Sequence, residues 1–359
     1  MSEFLPLLLQ RLEQGQTLVQ ATILTHEGST PRSAGSRMLL ADAGAGLGIV
    51  AGTVGGGLVE ARAMAAAAQV LAAGSQVLTG GERRVESFDL TGELAAGADM
   101  VCGGRLRVFL ERLGPVDLPL WRGLAASLAQ GLRCLRLTPL HAGPVAVLLA
   151  DGQNLGAELL PGLAQAARTA GADINAPVVL EHAGQAYALE PWAAANPLLI
   201  FGAGHVSRPT AQVAALIGFR VTVLDDRPEF ANALRFPQAE TRVLPSFADC
   251  FAGLPSGAPM GPEVFVVIVT RGHVHDAEVL AQALRTRAGY IGMIGSRRKR
   301  DAVYDRLRGQ GFSEADLARV CCPVGLDIGA ETPEEIAVSI AAQLVQVRAG
   351  QVRIGETRP

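Results

Sequence analysis

The stretch from Leu198 to Arg227, LLIFGAGHVSRPTAQVAALIGFRVTVLDDR, constrains the fold more than any other. An apolar run ends at Phe201, glycines follow at 202 and 204, a helical segment comes next, and a second apolar run closes on Asp225 and Asp226. Strand, glycine turn, helix and strand in that order make the repeating unit of a parallel sheet whose strands deliver their carboxyl ends to a ligand. Gly202 and Gly204 let the backbone turn tightly beside a diphosphate, with His205 next to them, and the helix start attracts the anion. Asp225 lies 23 residues beyond Gly202 (225 − 202), where a carboxylate accepts from ribose hydroxyls. Ser207 occupies the third glycine position, and Pro209 sits in the first helical turn, where its missing N–H has no intrahelical partner. The expected fold is a Rossmann-like, doubly wound α/β unit.

The downstream sequence supplies the rest of that sheet. TRVLP, VFVVIVT (264–270) and AGYIGMIG read as further strands, the second apolar enough to be buried on both faces. The expected order is 3-2-1-4-5. Gly-His-Val occurs at 204–206 and again at 272–274, each time just past an apolar strand, so both turns open into one crevice if the two strands are neighbours. The second turn gathers Arg271, His273, His275 and Asp276 as ligand contacts, with Asp276 also able to cap the following helix. Two histidines and a carboxylate also fit a metal, but no fourth ligand lies nearby in sequence. In the third turn Ser296 opens a helix carrying Arg297, Arg298, Lys299 and Arg300. Basic residues at a helix start oppose the dipole, which a phosphate would offset; a solvated charge run is the plainer alternative. Thr332, Pro333 and Glu335 spell a capping box for the last helix.

Upstream, FLPLLLQRLEQ has helical apolar spacing. Two strand-like runs then flank a polar loop offering His26, Ser29, Thr30, Arg32 and Arg37, donors suited to an anionic or heteroaromatic ligand and equally common in a plain turn. Gly55, Gly56 and Gly57 run into an alanine-rich helix bearing Glu60, an entry open either to an anion or to close packing. Cys102 and Gly103 stand in a glycine-rich turn before the strand RLRVFLERL; the thiol is either an exposed thiolate or a small buried hydrophobe. From 118 to 192 helix-like and short strand-like runs alternate without a catalytic constellation, and PWAAANP marks the boundary. The expected domains are a mixed α+β domain over 1–195 and the α/β domain over 196–359.

Composition narrows the function. At 359 residues, 49% hydrophobic and 18% charged, the chain suits two globular domains. A net charge of −3 provides no field for nucleic acid. No apolar run approaches the roughly 18 residues of a membrane span, and Glu3 stands where a secretory leader needs positive charge, so the expected compartment is the cytoplasm. The five cysteines show no zinc spacing and are expected to be reduced. Lys299 is the only lysine among 31 basic residues, so arginine counts alone say little.

Taken together, GSTPRSAGSRM, GTVGGGLVE, CGG before a strand, LLIFGAGHV, VTRGHVHD, YIGMIGSRRKR and PVGLDIGAETPEEIAVSIAAQ resemble the XdhC/CoxI family of xanthine dehydrogenase accessory proteins, in the same order over nearly the whole chain. The resemblance implies a family-type N-terminal domain followed by a Rossmann domain, and a chaperone rather than an enzyme. Such a protein binds the molybdenum cofactor (molybdopterin), protects it during sulfuration, and delivers it to the apo molybdenum subunit of xanthine dehydrogenase. A cysteine desulfurase is the implied sulfur donor, and a homodimer is the expected assembly. Some relatives carry Cys after the glycine run where this chain has Leu58, which leaves Cys102 as the expected molybdenum contact or sulfur relay. The competing readings are an NAD(P)-dependent oxidoreductase, with His205 or His273 as proton donor, and an NAD(P)-sensing regulator.

Overall fold

The computed structural model describes residues 4–44, 46–73, 82–90, 103–172, 174–252, 254 and 260–350. The chain divides into two compact units, Met1–Ala194 and Ala195–Pro359.

In the first unit the described residues run helix α1 (Phe4–Glu13), strands β1 (Leu18–Glu27), β2 (Arg37–Asp42) and β3 (Leu47–Gly52), helix α2 (Gly57–Ala73), then β4 (Arg83–Asp89) and β5 (Arg105–Leu113). The same course is then run a second time: α3 (Leu118–Ala129), β6 (Cys134–Pro139), β7 (Ala146–Leu149), β8 (Asn154–Gly156), α4 (Leu163–Ala170), β9 (Val178–His182) and β10 (Gln185–Trp192). Strand orders are β3-β2-β1-β5-β4 and β8-β7-β6-β10-β9, so the two antiparallel sheets share one topology.

Alternation along β1 explains the layering, because successive side chains of a strand face opposite ways. Val19, Ala21 and Ile23 pack with Val59, Ala63 and Val70 of α2. Leu18 on the other face joins Leu113, Cys134, Trp192 and Trp121 between the sheets. The outer face of the second sheet is covered by α4 through Leu163 and Ala167. Each fully buried leucine, isoleucine or valine contributes about 1.5–3 kcal/mol.

Between the sheets lies a buried chain of charges. Arg136 donates to Glu111 at 2.8 and 2.7 Å and to Glu190 at 3.0 Å. Arg37 pairs with Glu190 at 3.3 Å, and Arg83 with Glu111 at 3.4 Å. The guanidinium carbons of Arg136 and Arg37 lie 4.8 and 4.1 Å from the ring centres of Trp121 and Trp192. Burial pulls the Arg136 pKa down most strongly, but the two carboxylates together raise it above the ordinary arginine value, so its charge is fixed. The two glutamates occupy matching registers: Glu111 faces Gln20 of β1, and Glu190 faces Arg136 of β6.

The second unit contains β11 (Pro197–Phe201), α5 (Ser207–Leu216), β12 (Arg220–Asp225), β13 (Glu240–Val243), β14 (Phe265–Ile268), α6 (His273–Leu284), β15 (Tyr290–Met293), α7 (Arg297–Gly309), α8 (Glu314–Leu317), β16 (Val320–Cys321) and α9 (Pro333–Arg348). The sheet is parallel, in the order β13-β12-β11-β14-β15-β16. This is the expected doubly wound order, extended by β16, a strand too short to announce itself in the sequence. Leu199 and Phe201 pack on the side of α6 and α7, and Leu198 and Ile200 on the side of α5 and α9. Thr332 and Glu335 form the expected capping box at α9. Among the described residues, no helix is long and apolar enough to cross a membrane.

Candidate functional site

In the first unit three glycine-lined bends of the first sheet meet. A Cβ on Gly104 would lie 2.5 Å from the Glu27 carbonyl, 2.7 Å from that of Ser29 and 2.7 Å from Thr30 Cγ2, so only glycine lets the 103–104 bend close on the β1–β2 loop. Gly28, at φ +69°, faces Gly103 from the other side. The third bend joins through Gly55, whose Cβ would lie 3.0 Å from Pro31 and 3.9 Å from Arg32. His26 Nδ1 accepts from the Ala34 N–H at 3.1 Å and fixes the loop's shape, while the Thr30 hydroxyl donates to the Arg32 carbonyl at 3.0 Å. Beside these bends a cleft of 400 Å³ is lined by Arg32, Ser36, Arg37 and Thr53, with Phe4 and Leu7 on its apolar side.

Ser29, Thr30, Arg32, Gly55 and Gly103 are therefore brought together, with Gly56 and Gly57 continuing the bend into α2. Gly56 and Gly103 leave open space, since a Cβ on either would meet nothing within 4 Å. Glu60 accepts from the Thr53 hydroxyl, which also receives the Gly55 N–H at 3.1 Å. Arg37 departs from expectation. It is a buried residue of β2 rather than a loop donor, and its guanidinium is held by Glu190 at the back of the cleft. Cys102 lies outside the described residues. Thr53 is an organising residue that the sequence reading does not single out, although Thr-x-Gly before a helix is a recognisable side-chain turn.

In the second unit the turn after β11 presses on the exit of β14: a Cβ on Gly202 would lie 2.4 Å from the Val269 carbonyl. Ser207 closes this turn by donating to the Gly202 carbonyl at 2.6 Å. Asp225 requires a correction. It is buried, its Oδ2 accepts from the Ala203 N–H at 2.8 Å, and its Oδ1 accepts from Arg227 N–H and Nε at 3.1 and 2.8 Å. The carboxylate placed by spacing against a ribose thus holds the chain's own glycine turn. The next residue, Asp226, faces outward and takes Arg271 in a two-pronged ion pair.

Asp276 also differs from expectation. Gly272 is the N-cap of α6, and Asp276 lies within the first turn, fully buried, accepting from the Thr270 hydroxyl at 2.6 Å and paired with Lys299. His275 bonds Glu278 of its own helix at 3.1 Å, while His205 and His273 are exposed. Ser296 caps α7 by accepting from the Lys299 N–H at 3.3 Å, and Arg297 is exposed beside it. Among the described residues, no group of three His, Cys, Asp or Glu side chains is arranged to hold a metal ion. Burial pushes the thiols of Cys321 and Cys322 up to about 11 and that of Cys250 up to about 12, so none of the three is a thiolate at neutral pH.

The Arg271 hydrogen bonds hold the Asp226 carboxyl down at about 2. A depressed carboxyl stabilises the fold above its unfolded value and ceases to do so as pH falls through the folded one. Asp226→Asn is therefore expected to cost under about 1 kcal/mol at neutral pH, because the pair is partly exposed and screened. The difference from wild type should vanish between pH 3.8 and about 2. Urea titrations of both proteins across that window check this; a pH-independent difference would refute it.

Similarity to known proteins follows the same two-part division. The XdhC and CoxI family matches residues 11–81, and the XdhC Rossmann domain matches residues 198–344. The chain is 28% identical over 354 residues to a Bacillus subtilis protein named as a probable xanthine dehydrogenase subunit, covering 97% of this chain and 98% of that one. It is also 28% identical over 340 residues to the uncharacterized protein YqeB of Escherichia coli, covering 94% of this chain but spanning only 44% of YqeB. A crystal structure of a xanthine dehydrogenase from Bacillus halodurans superposes with a TM-score of 0.77 at 26% identity, with 97% of each chain covered.

Proposed function

The chain belongs to the XdhC and CoxI family, and from that premise we propose that it binds the molybdenum cofactor as cargo. It shields the cofactor while the terminal oxo ligand is exchanged for sulfur and passes it to the molybdenum subunit of a xanthine dehydrogenase. Similarity along nearly its full length to a protein named as a xanthine dehydrogenase subunit supports that partner. A cysteine desulfurase is the proposed sulfur source, a homodimer the proposed assembly, and the cytoplasm the proposed compartment. The protein acts by binding and release rather than by turnover.

The observation that carries this reading is the meeting of the 28–32, 55–56 and 103–104 bends beside a cleft in the first unit. The donor set fits the organic part of the cargo. Arg32 and the hydroxyls of Ser29 and Thr30 suit phosphate and pterin heteroatoms, and the open faces of Gly56 and Gly103 admit a flat ring close to the backbone. Cys102, adjacent to Gly103 in sequence, supplies a soft thiol ligand.

Protein co-expressed with the cofactor pathway should retain molybdenum and pterin in equal amounts. Cys102→Ala is expected to lower the retained molybdenum and pterin together by about tenfold or more, the scale on which disturbing a metal site lowers affinity. Wild-type protein that carries neither molybdenum nor pterin would refute the reading, and wild-type retention by Cys102→Ala would remove that residue from the site. An NAD(P)-dependent enzyme draws support from the Gly202 and Gly204 turn, but Asp225 has both carboxylate oxygens engaged within the protein. Oxidation of NADPH by the purified chain would favour that alternative.

A further inference from the structure

We propose that Lys299, positioned by buried Asp276, binds a phosphate group of a small organic ligand at the carboxyl ends of β14 and β15. This site lies in the second unit and stands or falls independently of the cargo reading above.

Lys299 is the one lysine among 31 Lys and Arg residues, and a compact ammonium is not interchangeable with a planar guanidinium. The Lys299 stem lies along Gly295, where an added Cβ would come within 3.0 Å of Cδ and 3.4 Å of Cγ. The stem is thereby led to Asp276, whose side chain is fully buried while that of Lys299 is 28% exposed. The ammonium thus sits between a sequestered carboxylate and solvent. Thr270, at the end of β14, donates to the other carboxylate oxygen at 2.6 Å and fixes its orientation.

An ammonium has three N–H donors and no acceptor. Asp276 neutralises the ammonium through their ion pair, and the exposed part of the group leaves N–H donors for an external acceptor. Charge around it agrees. Arg297 and Arg298 are exposed and have no ion-pair partner among the described residues, whereas Arg300 is paired with Asp301 and Arg271 with Asp226. With Lys299 and Asp276 cancelling, the exposed Arg297 and Arg298 in the same helical turn leave a positive surplus that a phosphate would offset. The shared chemistry is a phosphate ester, from a nucleotide or from a pterin phosphate.

The test is calorimetric titration of the full chain with inorganic diphosphate and with ADP. Both should bind, and Lys299→Met should weaken binding by about ten- to a hundredfold, the usual effect of losing a charge-assisted hydrogen bond. Asp276→Asn, which leaves Lys299 unanchored, should weaken it less. Tighter binding of ADP than of diphosphate identifies a nucleotide as the source; equal or weaker binding of ADP shows that the phosphate alone is recognised. A second measurement guards against variants that fail to fold. Pyridoxal 5′-phosphate followed by borohydride labels Lys299 in the wild-type protein, the α-amino group being resolved by peptide mapping, and diphosphate should protect it. The proposal is overturned if diphosphate and ADP fail to bind, if folded Lys299→Met binds as wild type does, or if labelling is indifferent to diphosphate.

Discussion

Glu190→Ala is expected to destabilise the first unit by about 3–5 kcal/mol, the cost of breaking a buried charge pair by removing one partner. Glu190 is fully buried between Arg37 and Arg136, and its loss leaves Arg37 without that carboxylate and Arg136 with Glu111 alone. Glu190→Gln keeps the shape and one acceptor oxygen, so it should cost clearly less. Urea unfolding followed by far-ultraviolet circular dichroism reads both. A loss under about 1 kcal/mol for Glu190→Ala would mean that water or rearranged side chains satisfy the two guanidiniums, contrary to their burial.

Gly202→Ala is expected to destabilise the second unit by about 3 kcal/mol or more. The residue holds φ at +106°, where a side chain costs about 1–3 kcal/mol, and the new Cβ would lie 2.4 Å from the Val269 carbonyl oxygen and 2.7 Å from its carbon. Both obstacles are backbone and cannot rotate away. Gly204→Ala is the internal control, because its Cβ would meet nothing within 4 Å. It should leave thermal stability within about 0.5 kcal/mol of wild type, in the range of a surface substitution. Equal effects of the two changes would show that the turn is not pinned against β14.

The sequence announced the second unit clearly because its strands are continuous apolar runs punctuated by glycine, and because parallel order follows from strands alternating with helices. It said less about which groups face a ligand. Asp225 and Asp226 are adjacent carboxylates, and spacing could not tell that the first turns in to hold Ala203 while the second turns out to Arg271. Asp276 carried the signature of a cap, yet a buried ion pair with Lys299 depends on the packing of α6 against α7, which local pattern does not encode. In the first unit the polar loop from Ser29 to Arg32 was legible, but Arg37 read as its last donor. The register of β2 against β1, with Arg37 opposite Thr22, decides that its side chain goes into the protein.

The two sheets of the first unit trace one path, so Glu111 and Glu190 are counterparts, as are Gln20 and Arg136. Had two identical half-length polypeptides met face to face in this way, each would have brought the same pair of residues. Glutamine on both sides would have removed the guanidinium that spans Glu111 and Glu190, and arginine on both sides would have set two guanidiniums at the seam that Arg136 alone now bridges. Tandem fusion removes that restriction. With both halves on one backbone, a single Arg136 bridges both glutamates, and the connections of the two halves are free to differ.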